Sequence, residues 1–173
     1  MTGDILASDA PLSGRAADRA QVYEQGLIAG ALGAAVIAAW FFILDWAGGR
    51  PLFTPNVLGT ALFHPRSSVP PDVAKLSFEM VVAFTWIHLL VFMVIGIAAS
   101  ILLDLAEADQ NLGFGIVLLF VVFEFGFVAV TTVFAEHVLA ALSLTRVLIG
   151  NLLAAAVMGL YFWRQHPQLV IAP

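Results

Sequence analysis

The stretch Leu27-Ile-Ala-Gly-Ala-Leu-Gly-Ala-Ala-Val-Ile-Ala-Ala-Trp-Phe-Phe-Ile-Leu44 runs eighteen residues without a charged side chain or a proline. As an α-helix rising about 1.5 Å per residue it reaches about 27 Å, close to the ~30 Å hydrocarbon core of a bilayer. Three more segments read the same way: Met80 to Leu103, Leu112 to Ala135 and Val147 to Phe162. With flanking weakly polar residues added, the pattern predicts spans at about 25–46, 76–103, 112–138 and 145–164. The expected fold is an all-α integral membrane protein. Its four transmembrane helices form an up-and-down bundle over residues 21–166, between a polar N-terminal tail (1–20) and a C-terminal tail (167–173).

Composition agrees with that reading. Of 173 residues, 61% are hydrophobic and 11% charged, against roughly 45–50% apolar in a soluble domain. A soluble chain of this size has too little material to cover four buried helices. The net charge of −5, from twelve acidic and seven basic residues, leaves no basic patch to follow a phosphate backbone, so no nucleic-acid partner is expected. The chain has no cysteine, which excludes disulfides, thiolate chemistry, iron–sulfur ligation and a Cys-type zinc site. The first segment exceeds the ~7–15 residues of a signal-peptide core and is read as a retained span.

The connections are short except for Ala47 to Ala74, punctuated by Gly48, Gly49, Pro51, Pro55, Pro65, Pro70 and Pro71. Within it, Thr54 as N-cap and Pro55 at the first helical position predict a short helix carrying Val57, Leu58, Ala61, Leu62 and Phe63. That helix is expected in the membrane interface or folded back on the bundle. Asp104 to Asn111 is a short acidic link. Ala140 to Thr145 is shorter still, which makes the third and fourth spans antiparallel neighbours. No internal repeat of the kind common in secondary transporters is visible. The basic residues nearly balance, with Arg15, Arg19 and Arg164 at one side and Arg50, Arg66, Lys75 and Arg146 at the other. Arg15 and Arg19, directly before the first span, tip the expectation towards both termini being cytoplasmic in a bacterial inner membrane.

Helices in lipid gain little by hiding apolar surface from each other, so close approach between small residues matters more. Gly26, Gly30, Ala34 and Ala38 make such a stripe on the first span. Gly150 with Ala154, and Ala155 with Gly159, do so on the fourth. Contact between these two spans is expected. The third span instead concentrates phenylalanine, at positions 114, 120, 123, 125, 127 and 134, on all faces, for lipid, a pigment or another subunit. Trp40, Trp46 and Trp163 sit near span ends as interfacial anchors do, and the deeper Trp86 is expected to pack.

Ionisable residues at membrane depth are costly and therefore candidates for work. Counting ~1.5 Å per residue places Glu124 about 18 Å and His88 about 22 Å from the same side. The two can meet near the midplane, with Thr85 one turn from His88 as a further partner. Such a pair accepts protons or coordinates a cation; equally, it clamps helix register. A second layer holds Asp45, Glu79, Glu136, His137 and His64, residue types that bind zinc, iron or manganese. Against a metal there, Glu136 and His137 point about 100° apart on a helix, and no Glu-x-x-His pair is present. His88 and His137 are about 18 Å apart in depth and cannot share a haem, although a porphyrin held by His88 alone, lined by Phe84, Trp86 and Phe92, is conceivable. No cofactor is favoured.

No reaction motif is present: the chain lacks a Gly-x-Ser-x-Gly elbow and a phosphate-binding glycine loop. The leading expectation is a non-catalytic accessory or assembly subunit of a larger membrane complex, partnered by another membrane protein or by copies of itself. One alternative is proton or cation translocation through Glu124 and His88. A metal- or porphyrin-binding protein is the other.

Overall fold

The computed structural model describes residues 10–64, 75–108 and 143–165. Among them the regular structure is entirely helical: α1 (Ala10–Ala47), α2 (Phe53–Phe63), α3 (Phe78–Ala108) and α4 (Leu144–Gln165). Three of these helices are long and apolar enough to cross a membrane, over Arg19–Ala47, Phe78–Ala106 and Leu144–Gln165, or 29, 29 and 22 residues. The span expected at 112–138 lies outside the described residues, as do positions 65–74.

Helix α1 begins at Ala10 and so takes in residues that composition assigns to a polar tail. Pro11 falls in its first turn, where the fixed φ is already helical and the missing N–H has no intrahelical partner to lose. At 38 residues the helix is about 57 Å long, well beyond the thickness of a hydrocarbon core. It stops in a Schellman turn: the Gly49 N–H reaches Trp46 O at 3.0 Å and the Arg50 N–H reaches Asp45 O at 2.9 Å. That turn needs a left-handed residue, and Gly49 supplies it at φ 71°.

Helix α1 is the centre of the arrangement. Gly26 and Gly30 meet the backbone of α3 directly. A Cβ added to Gly26 would lie 2.5 Å from the Ile97 Cα, and one added to Gly96 would lie 2.6 Å from the Gly30 N. Only glycine permits such an approach, which is the logic of small-residue packing in lipid. The glycine and alanine stripe of α1 therefore faces α3, not α4 as its spacing with Gly150 and Ala154 suggested. The reason is that α3 offers Gly96 and, four residues on, Ser100, a matching small pair on one face. The expected contact with α4 does form, and uses Gly150, but the residues of α1 that meet α4 lie outside the stripe. The Gly33 backbone meets Met158, and Gly150 sits under the Trp40 indole, whose Nε1–H donates to Arg146 O at 2.9 Å.

Helix α1 runs antiparallel to both neighbours. Val22, Gly26, Gly30 and Ala34 of α1 pair with Ser100, Ile97, Phe92 and His88 of α3 in reverse order. Likewise, Gly33 pairs with Met158 and Trp40 with Gly150. Helices α3 and α4 are consequently parallel. The common core gathers Ala29, Met158 and Phe162, with Phe92, Ile95 and Ala99 packed around them. Outward faces are strongly apolar: Leu152 is 71% exposed and Val94 66%, the inverse of a water-soluble surface. Trp46 and Trp163 are exposed at opposite ends. Trp86 does not pack as its depth suggests but is 62% exposed.

Candidate functional site

Polar side chains gather at two levels, the middle of the helices and the end that carries α2. In the middle, the half-buried His88 leaves α3 and its Nε2 lies 3.3 Å from the Ala34 carbonyl oxygen of α1. Phe84 stacks on the imidazole at 5.8 Å, one turn before, and Phe92 tilts against it at 4.7 Å, one turn after. Ala34 lies about 18 Å along α1 from Val22 and about 17 Å from Asp45, so this contact is midway along the apolar length. The carbonyl is reachable because Ala34 presents only a methyl to α3 and is 4% exposed.

Thr85 does not join His88. Its Oγ1–H donates to Val81 O of its own helix at 2.7 Å, the local bond that a threonine makes inside a helix. Beside it, Val82, Trp86 and Leu89 border an open apolar groove of about 260 Å³. Glu124, the other half of the expected intramembrane pair, lies outside the described residues. Towards the termini, Ser100, 1% exposed, donates from Oγ to Val22 O at 2.8 Å, a second side-chain tie between α3 and the α1 backbone.

The other level is built around α2. The helix starts at Phe53, one residue before the expected cap, with Leu52 in the cap position at φ 64° and no side-chain cap bond. Its cap comes from further away. The Asp45 carboxylate, at the end of α1, accepts from the Thr54 backbone N–H at 2.7 Å and from the Thr54 hydroxyl at 2.8 Å. Pro55 fits the same first turn because no intrahelical acceptor awaits its nitrogen. Asn56 then clamps the entry to α3: its Oδ1 accepts from the Ser77 N–H at 2.8 Å and its Nδ2 reaches Lys75 O at 3.4 Å. The Ser77 Oγ faces the Met80 N–H at 3.5 Å, at the start of α3. Gly59 lies against Met80, close enough that its backbone meets the Met80 carbonyl. Val57, fully buried among Phe53, Leu58, Ala61 and Val147, fastens the same helix to α4.

These bonds change how the acidic layer reads. Both Asp45 oxygens are engaged by Thr54, Glu79 is exposed in the first turn of α3, and exposed His64 closes α2 with its backbone N–H on Thr60 O at 2.8 Å. Glu136 and His137 lie outside the described residues. Among the described residues no three histidine, aspartate or glutamate side chains come close enough to hold a metal ion. Of the packing positions, Gly26, Gly30, Ala34, Gly150 and Ala154 are buried, Ala155 is half-buried, and Ala38 and Gly159 are exposed.

Sequence reasoning passed over Asn56 and Ser100, and read Trp40 as an interfacial anchor without its indole bond to α4. The signal for Ser100 was available, since it stands four residues from Gly96 and so on the same helical face. Asn56 and Trp40 act through backbone groups of distant residues, which leave no trace in composition. Comparison with protein-family profiles, characterised proteins and solved structures yields no match.

Proposed function

We propose that this chain is a small four-span membrane protein without catalysis of its own, serving as an accessory or assembly subunit of a complex in a bacterial-type inner membrane. One observation carries the reading. Three polar side chains set within the apolar helices end on backbone carbonyls: Ser100 on Val22, His88 on Ala34, Thr85 on Val81. Groups used in this way fix helix register, the work that polar residues do between membrane helices.

The fourth span is supported by connectivity. Helices α3 and α4 are parallel, so the chain leaving Ala108 at one end must regain Leu144 at the other. Parallel neighbours need a crossing connection, and Leu112 to Ala135, 24 residues long, covers about 36 Å as a helix. The result is an up-and-down bundle with α1 starting and α4 ending on one side, the side of Arg15 and Arg19, which the basic-residue rule makes cytoplasmic. Helix α2 then lies at the opposite interface, anchored by Asp45 and Asn56.

The test is native mass spectrometry of the protein gently extracted from its own membrane at natural abundance. Discrete increments above 18.5 kDa corresponding to other polypeptides support the subunit reading; a bare monomer or a homo-oligomer refutes it. The mid-depth position of His88 favours one second reading, a proton or cation path shared with Glu124. Flux through reconstituted protein that is abolished by Glu124→Gln supports it, and unchanged flux in that variant removes it.

A further inference from the structure

We infer that the cleft between the end of α1, the start of α2 and the start of α4 binds a phosphate group, supplied by an anionic phospholipid headgroup or by free phosphate. The cleft has a volume of about 60 Å³ and is lined by Phe41, Asp45, Arg50, Phe53, Thr54 and Arg146, among others. That exceeds the ~10–15 Å³ that a single water requires and leaves room for a small oxyanion.

Its charge is unbalanced. Arg50 and Arg146 come from separate elements to one cleft in which Asp45 is the single acidic lining residue among the described residues. The Asp45 carboxylate faces Thr54, from which both its oxygens accept, and two guanidiniums against this one carboxylate leave the described lining with an excess of positive charge. The Arg50 guanidinium is held at the wall by the Phe53 ring, 3.8 Å from its centroid. The Arg146 backbone is tied to α1 through its carbonyl, which accepts the Trp40 indole N–H at 2.9 Å, while its side chain lines the cleft.

Arg146 also stands in the first turn of α4, which has no acidic residue there. A helix N-terminus carries about half a positive charge and disfavours a further cation beside it. An anion between the two arginines removes that repulsion and accepts planar, two-pronged hydrogen bonds from guanidinium. The exposed, tilted pair Phe42 and Trp46 lies on the last turns of α1. These rings place the cleft at headgroup level, where basic pockets between membrane helices meet lipid phosphate.

The experiment uses the full-length protein in two arms. In the first, native mass spectrometry from nanodiscs compares retention of phosphatidylglycerol with phosphatidylcholine; in the second, calorimetry titrates inorganic phosphate into delipidated protein in a zwitterionic detergent. Phosphatidylglycerol is expected to be retained about tenfold better, with Arg50→Gln and Arg146→Gln each weakening it about fivefold and Arg164→Gln, at the opposite end, leaving it intact. A phosphate isotherm lost in the double variant upholds the site with the free ion as source. A lipid preference without that isotherm upholds it with the headgroup as source. Equal retention of the two lipids with no isotherm overturns the inference on the wild-type protein alone. So does any preference that survives in a double variant with wild-type circular dichroism, or one that Arg164→Gln abolishes equally.

Discussion

Replacing Gly96 with alanine is expected to push α1 away from α3. The new methyl falls 2.6 Å from the Gly30 N and 2.8 Å from its Cα, and meets the Gly26 carbonyl oxygen as well. Carbon atoms rest about 3.5–4.0 Å apart, so the helices must separate by about 1 Å across this turn. The Ser100 to Val22 bond spans 2.8 Å and the His88 to Ala34 contact 3.3 Å; both pass beyond bonding reach after such an opening. Overpacking costs about 1–3 kcal/mol, and each interhelical bond in a membrane protein averages about 0.6 kcal/mol. Against this, alanine gains about 1 kcal/mol of helix propensity over glycine. The net destabilisation is about 1–3 kcal/mol, readable as a lower midpoint in a dodecyl sulfate titration followed by circular dichroism. The chain has no cysteine, so a Val22→Cys, Ser100→Cys pair reports the same separation as a fall in disulfide yield. A Gly96→Ala protein that unfolds at or above the wild-type midpoint, with unchanged disulfide yield in the cysteine pair, refutes the close crossing.

Three other substitutions bear on the same account. Gly159→Ala meets nothing within 4 Å among the described residues, so it should be neutral or stabilise by up to about 1 kcal/mol; a loss comparable to that of Gly96→Ala in the same titration counts against the packing described. Asp45→Ala removes the acceptor for two Thr54 donors and should cost about 1–3 kcal/mol, with faster hydrogen exchange confined to 53–63; unchanged protection there would show that α2 does not depend on its distant cap. His88→Phe keeps a ring between Phe84 and Phe92 but loses the Ala34 contact, an expected loss of no more than about 1 kcal/mol. Complete loss of folded protein in that variant would mean that His88 does more than tie α3 to α1.

The existence of the long helices could be read from the sequence because burial in lipid needs only length and an unbroken apolar run, both local properties. The partner of the α1 stripe could not. Periodicity shows that Gly26 and Gly30 share a face, but α3 and α4 both carry a glycine followed four residues on by a small residue, Gly96 with Ser100 and Gly150 with Ala154, and only the fold decides which pair faces the stripe. The start of α2 was displaced for a related reason. Thr54 has the chemistry of an N-cap, yet Asp45 captures both its hydroxyl and its N–H from nine residues earlier, so the helix opens at Phe53. His88 was recognised as a residue under constraint, while its acceptor, the Ala34 carbonyl, is a group every residue carries and therefore has no signature. Trp86 shows the reverse error: depth in a soluble protein implies packing, whereas on a helix facing lipid an aromatic ring can be deep and exposed together.

The antiparallel pairing of α1 with α3 also orders the assembly of the chain during its synthesis. Once residue 108 has emerged, the glycine face of α1 already has its partner, and the Asp45–Thr54 and Asn56–Ser77 bonds can close the turn between them. That hairpin can leave the insertion machinery as a finished unit. Gly33 and Trp40, by contrast, wait for Met158, Gly150 and the Arg146 carbonyl, which are made last. A ribosome stalled before residue 144 would therefore hold a nascent protein with one tight seam complete and a second face open, a stage at which a membrane chaperone or a larger subunit could engage it.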